Sequence, residues 1–96
     1  MPFLTTYELA KVQRAVWEGR AKWYNIGLEL GLTAGTLDAI QLTSKHIVDE
    51  CFRAMLKEWL IMRKTELLPT WSRLAKALRA QPVKLKQLAE QLPLEP

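Results

Sequence analysis

Apolar residues recur along this chain at intervals of three and four positions, and no segment alternates apolar and polar residues as a half-buried strand does. The pattern predicts six helices. The first four cover about 6–19, 21–30, 34–42 and 47–64, a fifth follows Thr70, and a sixth runs from beyond Pro82 to about 92. Because the connections are short, we expect neighbouring helices to pack antiparallel in an all-α bundle.

The fourth predicted helix has the widest apolar stripe, which is typical of a central helix that several others contact. Along that stripe lie Val48, Cys51, Phe52, Met55, Leu56, Trp59 and Leu60. Buried faces on the other helices follow the same spacing. The predicted core comprises Leu9, Val16, Trp23, Ile26, Leu30, Leu37, Ile40, Phe52, Met55, Leu56, Trp59, Trp71, Leu74, Leu78 and Leu88.

Several residues predict where helices begin and end. Thr33 and Thr70 are suitable N-caps for the third and fifth helices. Gly19 is expected to end the first helix, and Gly31 is expected to end the second in a left-handed conformation. Gly27 lies beside the apolar stripe of the second helix, where the missing side chain would let a neighbouring helix approach.

Composition narrows the class of protein. The chain has 96 residues, of which 49% are hydrophobic and 25% charged, a balance typical of a single globular domain. No signal peptide is recognisable, and the aliphatic cluster at 59–62 is too short to span a membrane. The single cysteine, Cys51, cannot form an internal disulfide, which favours a reduced, cytoplasmic setting.

Three segments in the right order resemble the death domain. They are W..IG..LGL....LDAIQ at 23–41, V.ECF..ML..WL at 48–60 and PTW..L..AL at 69–78. The resemblance implies a six-helix antiparallel bundle with Greek-key death-domain topology, a single module over 1–96 with its core at about 7–92. It also implies a non-enzymatic role without cofactors. The implied partners are other death-domain proteins and the chain itself, as a homo-oligomer or filament, in apoptotic or innate-immune signalling.

The resemblance further implies three asymmetric contacts between such domains. The first would set Lys11, Arg14, Arg53 and Lys57 against Glu29 and Asp38. The second would set the segment from Arg63 and Lys64 to Glu66 against Arg79, Lys84 and Lys86, and it is so basic on both sides that an acidic partner fits better than a second copy. The third would set the third helix against the loops near Arg20 and Lys45.

The stretch at 23–41 also has the outline of a helix-turn-helix, which raises the alternative of DNA binding. Its second helix, AGTLDAIQLT, holds no basic residue; Asp38 would repel phosphates, and Gln41 is the one plausible base reader. The net charge of +4 comes mainly from residues 69–96, which carry five basic and two acidic groups. The alternative function is therefore that of a small helical nucleic-acid-binding domain that uses the basic C-terminal helices. A third possible function is binding to a membrane surface through the same basic residues.

No residue pattern predicts a catalytic, cofactor or metal site, nor a small-molecule substrate. His46 and Cys51 are the only residues of their kinds, and five positions along a helix place them about 140° apart around its axis. Among the four tryptophans, Trp17 is offset from the core line of its helix, so we expect it to be partly exposed and available for a contact.

Overall fold

The computed structural model describes residues 4–62, 68–81 and 83–93, and within these ranges the chain is helical and has no strand. The α-helices of these ranges are α1 (Leu9–Ala15), α2 (Trp23–Glu29), α3 (Ala34–Thr43), α4 (Val48–Ile61), α5 (Trp71–Arg79) and α6 (Lys86–Glu90). Two 3-10 helices, Thr6–Glu8 and Trp17–Lys22, lie before and after α1. The predicted all-α fold with six helices is confirmed.

The predicted caps explain where two helices begin. The Thr33 hydroxyl accepts a hydrogen bond from the Thr36 amide at 3.1 Å, and α3 begins at Ala34. Thr70 accepts from the Arg73 amide at 3.1 Å in the same way, and α5 begins at Trp71. Gly31 has a φ of 99°, so the predicted left-handed end of the second helix is confirmed.

The prediction for the first helix is wrong in two respects. It is divided at Val16, whose φ of −116° and ψ of 20° leave the helical region, and a 3-10 helix follows. Gly19 is buried inside that 3-10 helix instead of ending an α-helix. A Cβ on Gly19 would lie 2.9 Å from Cδ1 of Leu85, so the close approach of the segment before α6 accounts for the glycine.

The last helix is also shorter than predicted. Pro82 lies outside the described residues, and the chain from Val83 to Leu85 is fastened to α5 before α6 begins. The amide of Val83 donates to Ala80, and that of Leu85 donates to Leu78 at 2.8 Å. Lys84 between them has a φ of 55°. This connection uses residues that the apolar spacing assigned to the sixth helix.

Helix α4 lies at the centre of the fold. Helices α1, α2 and α3 and the second 3-10 helix pack against α4, while α5 packs against α6 and α2. Its buried side chains are Cys51, Phe52, Met55, Leu56, Trp59 and Leu60. They belong to one continuous core that extends from Leu4 to Leu92.

Every predicted core residue is buried except Leu9. Leu9 is only partly buried, because it is the first residue of α1 and packs at the edge of the core. The prediction also fails at Val48, which is 42% exposed. Val48 is the first residue of α4, and the helices packed around α4 cover its inner side from Cys51 onward.

Replacing Trp59 by alanine is expected to lower the free energy of unfolding by about 3–5 kcal/mol, because the side chain is fully buried. Its indole Nε1 has no hydrogen-bond partner among the described residues, so the loss is one of apolar packing. Urea unfolding measures the change. Ile61→Ala, in the same helix but at a side chain 47% exposed, is the control and should cost less than about 1 kcal/mol. Equal costs for the two variants would contradict the burial of Trp59.

Gly27→Ala is expected to destabilise the fold by about 1–3 kcal/mol through overpacking. The added Cβ would lie 2.7 Å from Cδ2 of Leu37 and 3.1 Å from Cγ of Met55, so the Leu37 side chain must shift and Met55 must give way slightly. Gly35→Ala is the matched control, because its nearest neighbouring atom would be 4.0 Å away. There alanine should stabilise the helix by up to about 1 kcal/mol. Thermal melts of the two variants should therefore shift in opposite directions.

Candidate interaction surfaces

The basic residues of α1 and α4 are all on the surface. Lys11, Arg14, Arg53 and Lys57 are exposed, and α1 packs alongside α4. Across the described ranges the only ion pair joins Arg20 and Asp49. The four cations therefore have no anionic partner within that part of the chain. They are available to a partner molecule without any internal bond being broken.

The two acidic residues of α2 and α3, Glu29 and Asp38, are also exposed. The Tyr24 hydroxyl on α2 donates a hydrogen bond to Oδ1 of Asp38 at 2.8 Å. This bond raises the pKa of Tyr24 above its usual value, with smaller contributions from burial and from the carboxylate charge. The Tyr24 ring in turn packs edge-on against Trp23 at 5.5 Å. The Asp38 carboxylate is thus held in place by α2.

Arg20 joins the second 3-10 helix to α4. Its Nε lies 3.2 Å from Oδ1 of Asp49, and its Nη1 donates to the Trp17 carbonyl at 2.9 Å. The guanidinium also lies over the Trp17 ring, 4.6 Å from its centroid. Trp17 is half-buried, with its ring edge-on to Phe52 at 6.0 Å. Trp17 and Arg20 therefore fasten the second 3-10 helix to α4, and Trp17, partly exposed as predicted, also lines a groove of about 500 Å³ with Ala10, Gln13, Arg14 and Glu18.

Lys45, the other loop residue expected to make a contact, is exposed and lies two residues after the end of α3. It and His46 have left-handed φ values of 53° and 62°, an arrangement that is unusual for residues with a Cβ. Their amides donate to Leu42 and Gln41, which closes the C-terminal turn of α3.

The C-terminal basic residues form a second exposed set. Arg79, Lys84 and Lys86 are exposed together with Lys76. Arg73 differs from the others because it is half-buried, and its Nε has no hydrogen-bond partner in the described part of the chain. The segment from Arg63 and Lys64 to Glu66, which would face this set in a second copy, lies outside the described residues.

In the helix-turn-helix outline of α2 and α3, the apolar residues pack into the core. Leu37 and Ile40 are buried on the inner side of α3, and Asp38 lies on its exposed side. A recognition helix needs donors for the acceptor-rich edges of the major groove. On α3 an acidic side chain occupies the exposed face, and no lysine or arginine lies between Trp23 and Ser44.

His46 and Cys51 do not form a site. His46 is exposed, whereas Cys51 is 1% exposed. Burial raises the pKa of the Cys51 thiol, a hydrogen bond with Ser44 opposes this rise, and the Glu50 charge adds to it. Within 4–62, 68–81 and 83–93, no group of three or more His, Cys, Asp or Glu side chains could hold a metal ion.

A groove of about 440 Å³ lies between α3 and α4. Its α3 side is lined by Thr36, Ala39 and Thr43, and its α4 side by Ala54, Lys57 and Glu58. A second groove of about 240 Å³ shares Thr36 and Glu58 and reaches Leu32 and Ile61. The two grooves are therefore neighbours on the surface.

Sequence reasoning missed three features of these surfaces. The Tyr24–Asp38 bond and the Arg20–Asp49 pair each join residues far apart in the chain, so local spacing holds no signal for them. The groove between α3 and α4 depends on how these two helices pack against each other, which the sequence pattern does not specify. Only the spacing of Ile47, Ala54 and Ile61, at intervals of seven, was visible in the sequence.

No family model matches this chain, and no curated protein or solved structure was found to be similar to it. Of the helices that the structure describes, none is both long enough and apolar enough to cross a membrane.

Tyr24 provides a titration test of the acidic surface. Because its folded-state pKa is raised, the Asp38 bond stabilises the fold below the unfolded-state pKa of about 10, and this contribution is lost as pH rises through the folded-state value. Asp38→Ala should move the phenolate absorbance transition of Tyr24 to lower pH. Tyr7→Phe in both backgrounds isolates the Tyr24 signal. An identical transition with and without Asp38 would contradict the hydrogen bond.

Proposed function

We propose that this chain is a death-domain-like module, an antiparallel Greek-key bundle that works by binding related domains without catalysing a reaction. The packing order supports this topology. Helix α1 contacts α4, and α2 contacts both α4 and α5, so the chain does not simply run up and down between sequence neighbours. We place the module in cytoplasmic assemblies of apoptotic or innate-immune signalling, with other death-domain proteins and its own copies as partners.

The separation of charge carries this proposal. Lys11 and Arg14 on α1 and Arg53 and Lys57 on α4 are exposed, while every charged residue of α2 and α3 is acidic. Helix α4 also carries Asp49, Glu50 and Glu58, so its cations form a basic surface only together with those of α1. Opposite charges on different surfaces of one molecule favour head-to-tail contacts, which continue as rings or open helices. Charge complementarity would set the orientation and the association rate of such contacts, and salt would weaken them.

The first contact is the one that two copies of this chain fit best. In it, the cations of α1 and α4 meet Glu29 and Asp38. Tyr24 strengthens the case, because it holds the Asp38 carboxylate on the surface by a 2.8 Å bond while the second carboxylate oxygen can accept a donor from a partner.

The second and third contacts suit a second copy of this chain less well than the first. Arg79, Lys84 and Lys86 form a basic surface that suits an acidic partner domain. The contact through the loops relies on Lys45, because Arg20 is already paired with Asp49.

A second candidate function is nucleic-acid binding through α5 and α6. The exposure of Lys76, Arg79, Lys84 and Lys86 favours it, because phosphate contacts by lysine and arginine supply most of the affinity of non-specific binding. Duplex DNA and anionic vesicles in a salt series separate the possibilities. Steeply salt-dependent DNA binding would support this function, and binding to vesicles alone would indicate a membrane-surface role.

Reversing the acidic surface should weaken self-association. Glu29→Lys and Asp38→Lys place cations opposite Arg14 and Lys57 of a second copy, so each should reduce association about tenfold at low salt. Light scattering across protein and salt concentration measures this. Glu90→Lys, an equal change of charge at an exposed position of α6, is the control.

Three outcomes would contradict head-to-tail assembly by these surfaces. They are unchanged association in Glu29→Lys, an equal loss in Glu90→Lys, or association that is indifferent to salt. Glu29 is the cleaner position, since it makes no bond within the described residues that the substitution would remove. Circular dichroism should show the same helicity in every variant.

A further inference from the structure

The outer side of α4 carries apolar residues that the core does not use. Ile47, which caps α4, and Ile61, its last residue, are 49% and 47% exposed, and Ala54 between them is half-buried. Their spacing of seven residues is close to two helical turns, so the three lie on one side of the helix. The buried stripe that includes Phe52, Met55 and Trp59 faces away from this side.

The groove beside this stripe can admit another helix. On the α3 side it is lined by Thr36, Ala39 and Thr43, which are short side chains. The short side chains of the α3 wall and Ala54 on the α4 wall leave room for a second helix to approach, with Lys57 and Glu58 along the border of the groove. On the α4 side, Ala54 lies at the middle of the stripe and Ile61 lies toward one end.

The positions along the stripe are symmetric about Ala54. Ile47 lies seven residues before it and Ile61 seven residues after it. If a second α4 runs antiparallel and crosses at Ala54, Ile47 of each copy meets Ile61 of the other, and the two Ala54 side chains meet at the axis. A two-fold contact repeats each pair, so every favourable contact counts twice.

The charges on the stripe fit the same axis. Glu50 and Lys57 are exposed, and their midpoint lies between residues 53 and 54. About an axis at Ala54, Glu50 of one copy is level with Glu58 of the other, and Lys57 lies one residue, about 1.5 Å, from that level, so Glu50 is within side-chain reach of Lys57. From these positions we infer that the outer side of α4 binds a second copy of this chain about a two-fold axis at Ala54.

The size of this contact predicts a weak, reversible pair. Helix α4 has 14 residues and is about 21 Å long. A pair of such helices buries less than the ~1,200 Å² of a standard interface, so high protein concentration is needed to populate the dimer. This contact closes at two copies and does not depend on the head-to-tail contacts proposed above, with which it shares only Lys57.

Charge reversal tests the symmetry directly. E50K and K57E each place like charges near one another twice, so each should weaken dimerisation about tenfold in sedimentation equilibrium at low salt. An equimolar mixture of the two variants should dimerise like the parent. In the mixed pair the new lysine is within reach of the new glutamate, and the native Glu50 is within reach of the native Lys57. The charge-swapped double variant E50K/K57E should also recover. E90K, outside the stripe, should leave dimerisation unchanged.

Cross-linking gives an independent readout of the axis. A54C places one thiol of each copy at the axis, so a short bifunctional thiol reagent should join two copies, while the native Cys51 is buried. The control A10C, exposed on α1, should give little product.

Four outcomes would each overturn the two-fold contact. They are a parent chain that is monomeric at all concentrations, full dimerisation of E50K, a mixture of E50K and K57E that stays monomeric, and equal cross-linking of A54C and A10C. Loss of association in K57E but not in E50K would instead indicate a head-to-tail contact through Lys57. Circular dichroism of each variant shows that the fold is retained.

Discussion

The packing of other helices onto the inner side of α4 is the constraint on which the rest of the structure depends. Six buried side chains lie along its 14 residues, and α1, α2 and α3 all contact it. Helices α1 and α2 have seven residues each, too few for a helix to be stable alone in water. Their stability comes from tertiary packing, so they persist only while α4 presents an apolar surface to them.

Because apolar residues fill this core, the charged residues lie on the surface. No charged or polar residue is buried in the ranges that the structure describes, and only Arg20 and Asp49 form an ion pair there. Asp38 is bonded to Tyr24, and Lys22 donates to the Val83 carbonyl at 2.6 Å. Exposed charges that make no such bond contribute little to the fold, because isolated surface charges are well solvated. The arrangement of these charges is free to serve binding, so the cations of α1 and α4 can lie apart from the carboxylates of α2 and α3 at little cost to stability.

The sequence predicts those parts of the fold that local physics determines. Thr33 and Thr70 place the starts of α3 and α5, and three-four spacing identifies the buried side of α4. The break after α1 depends instead on the distance from Gly19 to Leu85, residues that local spacing cannot relate. The short α6 depends on hydrogen bonds to α5. For the candidate surfaces, the exposed charges are predictable, whereas the Tyr24–Asp38 bond requires knowing that α2 and α3 lie side by side.

The close contact at Gly27 has a consequence for how this sequence can diverge. Because the space beside Gly27 is filled by Leu37 and Met55, a side chain at position 27 fits with least strain where one of those two is smaller. The volumes at these three positions, on three different helices, are therefore coupled. Homologues of this chain should accordingly show correlated volumes at 27, 37 and 55, even where the charged surface has been entirely replaced.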